Sequence, residues 1–147
     1  MGAFVTEVPL RWSDMDAFGH VNHARTVTLL EEARASLLFT EAERRGHAGM
    51  SEGLVVARLS VDYRAPVDYR MGRVRVSLSL RELRRSSFVV DYTVAAGGKE
   101  VVTTAETLMV PYDLRAGRPR RLTEGEYSFL EEWVREPAAP DEERRIA

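Results

Sequence analysis

The chain has no cysteine, a single lysine (Lys99) and no apolar run long enough to cross a bilayer. The first absence excludes disulfides, thiolate metal sites and a cysteine nucleophile. The last leaves no transmembrane segment to place. Residues 1–6 also lack the basic start and apolar core of a secretory leader, so a cytoplasmic protein is expected. Scarcity of lysine leaves arginine to carry nearly all the positive charge, which by itself points to no ligand. A net charge of −2 and a pI near 6.0 give no overall attraction to polyanions, and no nucleic-acid partner is expected. With 147 residues the chain can bury a core without staples.

What the chain does contain is concentrated between Ser13 and His23, Ser-Asp-Met-Asp-Ala-Phe-Gly-His-Val-Asn-His. Two carboxylates and two of the three histidines sit there, directly before the one long helical pattern. A carboxylate and an imidazole delivered together to a helix N-terminus make a reaction site, because the unpaired amides of the first turn can bind a developing anion.

Phe4 to Trp12 reads as a first strand in which Pro9 marks an edge or a bulge. Asn22 is a candidate N-cap for a helix running to about Arg45, with Val27, Leu30, Ala33, Leu37 and Leu38 at helical spacing. Gly46 and Gly49 close it. The period then changes to two. Val55, Ala57, Leu59, Val61 and Tyr63 share one face of a strand from Leu54 to Arg64, with Arg58 and Arg64 on the polar face. Two further strands, Arg73–Leu83 and Ser87–Ala95, turn Val74, Val76, Leu78, Leu80 and Phe88, Val90, Tyr92, Val94 inward. Gly97-Gly98 signals a hairpin into a last strand, Glu100–Tyr112. Thr123 and Glu126 have capping-box spacing ahead of a short helix, Tyr127–Arg135, and residues 137–147 form a polar tail expected to be mobile. The expected fold class is α+β: one domain over residues 1–136, a long central helix wrapped by an antiparallel sheet of about five strands, and a short C-terminal helix. A sheet with free edges and one helix to cover it also predicts a homo-oligomer, dimer or tetramer.

The sequence Trp12-Ser-Asp-Met-Asp16-Ala-Phe-Gly19-His-Val-Asn-His23 closely resembles the hotdog-fold acyl-CoA thioesterases of the 4-hydroxybenzoyl-CoA thioesterase family, and is similar also to its Tol-Pal-associated branch. The resemblance extends from about Val5 to Pro111, through Val55-Val-Ala-Arg-Leu-Ser-Val-Asp-Tyr-Arg-Ala-Pro66 and Glu82-Leu-Arg-Arg-Ser-Ser-Phe88. It implies a hotdog fold and hydrolysis of acyl-CoA thioesters, with CoA as part of the substrate and no cofactor.

Carried onto these positions, the resemblance makes Asp16 the catalytic carboxylate, as nucleophile or as the base that deprotonates water. Asp14 becomes a loop brace. Gly19 supplies backbone freedom and room for the acyl group. His23 contributes its backbone N–H to the thioester carbonyl, while its side chain takes part in the reaction, orients Asp16 or meets a partner subunit. Arg84, Arg85, Ser86 and Ser87 match a basic turn that grips CoA phosphates, a task suited to guanidinium forks. Phe18, Val27, Val55, Val56 and Leu59 are the candidate acyl lining. His20-x-x-His23 beside Asp14 and Asp16 has metal-ligand residue types, but a loop-to-helix junction lacks the fixed spacing of a helical pair; no metal is expected. Two other readings stay open here: a hotdog hydratase or dehydratase of acyl thioesters, and a non-catalytic acyl-CoA-binding module.

Overall fold

A computed structural model describes residues 2–47, 50, 52–98 and 100–135; Gly49 and the tail at 137–147 lie outside them. Strand β1 (Phe4–Pro9) is followed by a 3-10 turn at Trp12–Asp14 and the loop that leads into the long helix. That helix comprises α1 (His23–Ala35), a π-helical segment (Ser36–Glu41) and a last turn α2 (Ala42–Arg44), 22 residues without a break. Strands β2 (Leu54–Tyr63), β3 (Arg73–Arg81), β4 (Phe88–Ala96) and β5 (Glu100–Asp113) follow, then the two-residue β6 (Arg118–Pro119) and helix α3 (Glu124–Glu131). The sheet runs β1-β3-β4-β5-β2, every neighbouring pair antiparallel, with β6 added to the end of β5. The fold is the α+β hotdog arrangement.

The helix packs along the sheet through Leu29, Leu30, Ala33, Leu37, Leu38 and Ala42, which belong to one buried cluster with Val74, Val76, Leu78, Leu80, Phe88, Val90, Tyr92 and Val94. The inward faces expected for β3 and β4 are those observed. The π-helical segment delays the helix by a fraction of a turn, so that Leu38 and Ala42 stay on the core side where an unbroken 3.6-residue period would rotate them away. Boundaries differ where local chemistry intervenes. β1 stops at Pro9 instead of reaching Trp12, and β3 ends at Arg81 because Glu82 takes a left-handed φ of 50°.

In β2 a bulge falls between Val56 and Arg58. It reverses the alternation, because one extra residue flips every later side chain to the other face. Val56 stands opposite Met109 and Leu59 opposite Thr107, both on the helix side, whereas Val55 stands opposite Val110 on the outer face. The expectation that Val55 and Leu59 share a face is thus corrected.

Thr123 caps α3 with both bonds of a capping box: its side chain accepts from the Glu126 N–H, and Glu126 accepts from the Thr123 N–H. The helix therefore starts at Glu124, earlier than its apolar pattern suggests. It ends at Glu131, since the residues that follow leave the helix to pair with β3: the Leu80 N–H donates to Trp133 O and the Arg135 N–H to Leu80 O. Glu126 also receives both Arg120 terminal nitrogens at 2.8 and 2.9 Å, and Arg120 donates to the carbonyls of Tyr112 and Gly53. One guanidinium thus ties α3, β5 and the start of β2. Burial pushes the Glu126 carboxyl up, but the bonds from Arg120 and Thr123 outweigh it and hold the carboxyl below its ordinary value. A carboxyl lowered in the folded state stabilises the fold above its unfolded pKa and loses that contribution as pH falls through the folded value. Replacing Glu126 by Ala leaves the largely buried Arg120 with only the exposed Glu52 carboxylate, 3.7 Å away, to offset its charge. We expect it to cost about 3 kcal/mol at pH 7 and to flatten the loss of stability on acidification, both read from urea denaturation at pH 7 and pH 4.

Candidate active site

The loop between β1 and α1 is fastened on three sides. Within it, Met15 and Val21 form an isolated antiparallel bridge, and the Asp16 N–H donates to His20 O at 2.7 Å. Behind it, Asp14 is 1% exposed and accepts from the Arg11 N–H at 3.1 Å and from Arg11 Nη2 at 3.0 Å, while its carbonyl takes the Asn22 N–H at 2.8 Å. Asp14 is the brace that the loop needs. Laterally, the Val21 N–H donates to Val67 O at 2.7 Å and His20 bridges Asp68, which anchors the loop to the segment after β2. Gly19 has φ +78° with nothing within 4 Å of a Cβ built there, so the backbone conformation, not crowding, calls for glycine.

This fastening fixes one carboxylate oxygen of Asp16. Oδ1 accepts from the N–H groups of Phe18 at 2.8 Å and His20 at 3.1 Å. No described residue donates to Oδ2. The helix begins immediately beyond. Asn22 is its N-cap, with Oδ1 accepting from the Ala24 N–H at 2.8 Å and its carbonyl taking the Thr26 N–H at 3.1 Å. The N–H groups of His23 and Arg25 are left without an acceptor among the described residues, as the geometry of a helix start requires.

Asp16, His20 and His23 line one cleft of about 380 Å³, together with Thr26, Tyr63, Arg64 and Thr103. Tyr63, at the end of β2, donates its hydroxyl to His23 O at 2.6 Å and sets its ring edge-on to the imidazole, 6.5 Å between centroids. Burial pushes its phenol up, so it remains a donor at neutral pH. Asp16 also borders a second cleft of about 590 Å³, on the side of Trp12, Gly19, Asp68, Tyr69 and Arg70. There the Arg70 hydrogen bonds hold the Asp68 carboxyl below its ordinary value. Tyr63, Thr26 and Thr103 had no signal of their own in the sequence. Tyr63 reads only as an inward strand residue until the sheet order places it beside the helix start.

The other sequence candidates lie elsewhere. Phe18 is 83% exposed and Val27 is outside the described clefts. Val56 and Leu59 are on the exposed edge strand, 44% and 39% exposed. The Arg84–Ser87 turn opens into β4 at Phe88, opposite Met109, whereas the cleft is at Thr103. Six residues of strand separate these points, about 20 Å at 3.3 Å per residue. One chain therefore does not bring the turn to Asp16. Within the turn, Arg85 pairs with Glu124 at 3.1 Å and stacks on Tyr127 at 4.0 Å, while its carbonyl accepts from the Leu122 N–H; Arg84 is exposed. Arg85 is thus engaged in holding α3. Among the described residues no three His, Asp or Glu side chains are gathered in a way that could hold a metal.

The sequence matches the model of the Thioesterase-like superfamily over residues 10–142. The chain belongs to that superfamily. It is a thioester hydrolase. No curated protein matches it significantly. Among solved structures, it is similar to a thioesterase from Thermus thermophilus complexed with coenzyme A and Zn, with 28% identity, a TM-score of 0.70, and 91% of this chain and 96% of that one covered. A DHNA-CoA thioesterase from Staphylococcus aureus shares 22% identity at a TM-score of 0.73, covering 90% and 93%. A 1,4-dihydroxy-2-naphthoyl-CoA thioesterase from Synechocystis shares 21% at 0.72, covering 89% and 97%. The latter two show the likeness of fold. In this thioesterase, as in the sequence reading, the loop and helix start form the part of the surface where a carboxylate, imidazoles and open amides converge.

The Asn22 side chain supplies the only side-chain cap of the Ala24 N–H among the described residues. Asn22→Ala should lower stability by about 1 kcal/mol, and Asn22→Asp should restore most of it, both measured by chemical denaturation.

Proposed function

We propose that the chain hydrolyses acyl-CoA thioesters in the cytoplasm, as a homodimer or homotetramer and without a cofactor, with Asp16 as its catalytic carboxylate. The observation that carries this is the state of Asp16. One oxygen is tied to two backbone amides, and the other is without a donor among the described residues in a cleft that reaches the first turn of α1. A carboxylate so held needs no reorganisation to act.

In this mechanism the thioester carbonyl lies against the His23 N–H, which stabilises the oxyanion as it forms. Asp16 Oδ2 attacks the carbonyl carbon or removes a proton from a water that does so. The new C–O bond forms, the C–S bond breaks, and CoA leaves as a thiolate that takes up a proton; where Asp16 is the nucleophile, water then cleaves the resulting anhydride, releasing the free acid and restoring the carboxylate. Tyr63 holds the first helical turn by its bond to His23 O, and the His23 ring stands over the same cleft. Arg64, which also lines the cleft, adds positive charge for an anionic substrate. Coenzyme A in the Thermus relative, at 28% identity, supports the CoA thioester as substrate. The Arg84–Ser87 turn would meet that CoA only from another copy of the chain.

Self-association follows from β2. It is an edge strand of 10 residues whose outer backbone has no neighbour among the described residues, and it carries Val56, Leu59 and Tyr63 exposed on the helix side. Two copies pairing antiparallel through β2 would remove this edge. Sedimentation should give at least twice the 16.6 kDa of one chain.

Asp16→Asn tests the chemistry without disturbing the loop, because the amide oxygen can keep both backbone bonds. Thiol release from acyl-CoAs should fall about a hundredfold or more while the melting temperature stays near that of the parent. Undiminished turnover would remove Asp16 from the mechanism.

A further inference from the structure

A groove of about 400 Å³ runs between the middle of the long helix and the start of β2, walled by Leu38, Phe39, Met50, Val56 and Leu114. Its lining is apolar except for two charged residues of the helix, Glu31 and Arg34. Arg34 enters it from the helix, with Nη1 donating to the Tyr92 hydroxyl at 3.1 Å; that hydroxyl in turn meets Thr107 Oγ1 at 2.9 Å in the buried core. No carboxylate of a described residue pairs with the guanidinium. Glu31, one turn earlier and exposed at the groove's mouth, is not within ion-pair distance, and the remaining N–H groups of Arg34 have no acceptor among the described residues.

A half-buried guanidinium among apolar side chains, with a single neutral hydrogen bond, is a costly arrangement unless something else neutralises it. Its planar fork fits a carboxylate in paired, charge-assisted bonds better than any other common group. An apolar channel leading to such a cation matches an apolar chain with an anionic end.

The groove and the Asp16 cleft stand at opposite ends of β2, at Val56 and Tyr63. If two β2 edges pair antiparallel about a two-fold axis near Leu59 and Ser60, Val56 of one copy stands beside Tyr63 of the other, and that pairing would bring the groove of one chain next to the cleft of its partner.

We propose that Arg34 is a specificity residue that selects thioesters whose acyl chain ends in a carboxylate, the chain lying in the groove contributed by the neighbouring copy. This rests on the acyl-CoA hydrolase reading and on pairing through β2. It adds a substrate class to that reading: monothioesters of dicarboxylic acids, with a saturated chain between the thioester and the free acid.

The test compares kcat/KM for saturated acyl-CoAs matched in chain length, one set ending in a methyl group and the other in a carboxylate. The wild-type chain, Arg34→Met and Arg34→Lys are assayed on both, with Asp16→Asn as the chemical control. Wild type should favour the carboxylate set by tenfold or more at its best length. Arg34→Met should lower that preference at least tenfold, and Arg34→Lys, which keeps the charge but loses the fork, should retain an intermediate ratio. A wild-type chain that hydrolyses both sets without preference overturns the role of Arg34 and leaves the hydrolase reading standing. An equal loss on both sets in Arg34→Met also overturns it, since Arg34 would then hold the CoA portion or the fold. Hydrolysis of neither set by the wild type overturns the dicarboxylate substrate class; thiol release from an aromatic acyl-CoA by the same preparation then leaves the hydrolase reading standing, and its absence overturns that reading too.

Discussion

One helix has to cover the concave face of a whole sheet. Everything else in the structure is adjusted to that constraint. A helix of 22 residues is about 33 Å long, enough to cross five strands spaced about 4.8 Å apart. Its apolar stripe must therefore hold one line for six turns. An unbroken α-helix drifts off that line, and the π-helical segment Ser36–Glu41 returns Leu38 and Ala42 to the core. The same requirement fixes both ends of the helix. Its N-terminus projects beyond the sheet at Thr103 and Tyr63, where the first-turn amides meet the loop, and its other half is left beside the start of β2, where the groove forms.

The edges of the sheet follow from the same geometry. Beyond the last β1 contact at Phe4 the residues after α3 take the place of β1 beside β3, where Leu80 pairs with Val134. β2 is the edge strand at the other end of the sheet, and its exposed face carries Val56, Leu59 and Tyr63 at 44%, 39% and 50%. Arginine and serine at Arg58 and Ser60 make the strand soluble without blocking its backbone. β2 carries no proline and no charge on its helix side. The bulge at Val56/Arg58 serves the same purpose, because it turns both Val56 and Leu59 to the helix side, making that face continuous from the groove to the cleft.

Much of this was legible in the sequence. The strands β3 and β4 show an uninterrupted period of two, and Asn22 and Thr123 are N-caps whose side chains have the reach their role demands. The Asp14 to His23 loop could be read because its chemistry is local: a brace, a glycine at positive φ and a carboxylate within hydrogen-bond reach of its own amides. What could not be read depends on contacts between distant segments. Tyr63 meets His23 only because β2 lies at the edge nearest the helix start, and Arg85 leaves the solvent only because α3 packs beside it. Val55 reads onto the wrong face since one extra residue in a strand changes no composition yet inverts all that follows. The separation of the Arg84–Ser87 turn from Asp16 is of the same kind, for it is set by strand order and not by any feature of the turn.

The two carboxylates of the loop divide its tasks between them. Asp14 is buried and makes the contacts that determine the loop's path, whereas Asp16 is partly exposed and makes contacts only with the loop itself. If a single carboxylate had to brace the loop and meet a substrate, each oxygen engaged in bracing would be lost to reaction. With two, Asp14 absorbs the structural demand and Asp16 keeps one oxygen without a donor among the described residues. The helix shows the same separation: Asn22 satisfies the Ala24 amide by its side chain, so the His23 and Arg25 amides are the ones left over. A loop built in this way is rigid through its backbone and its neighbours, which leaves Asp16 Oδ2 and the His23 and Arg25 amides, the first two assigned to the reaction in our proposal, without a part in holding it together.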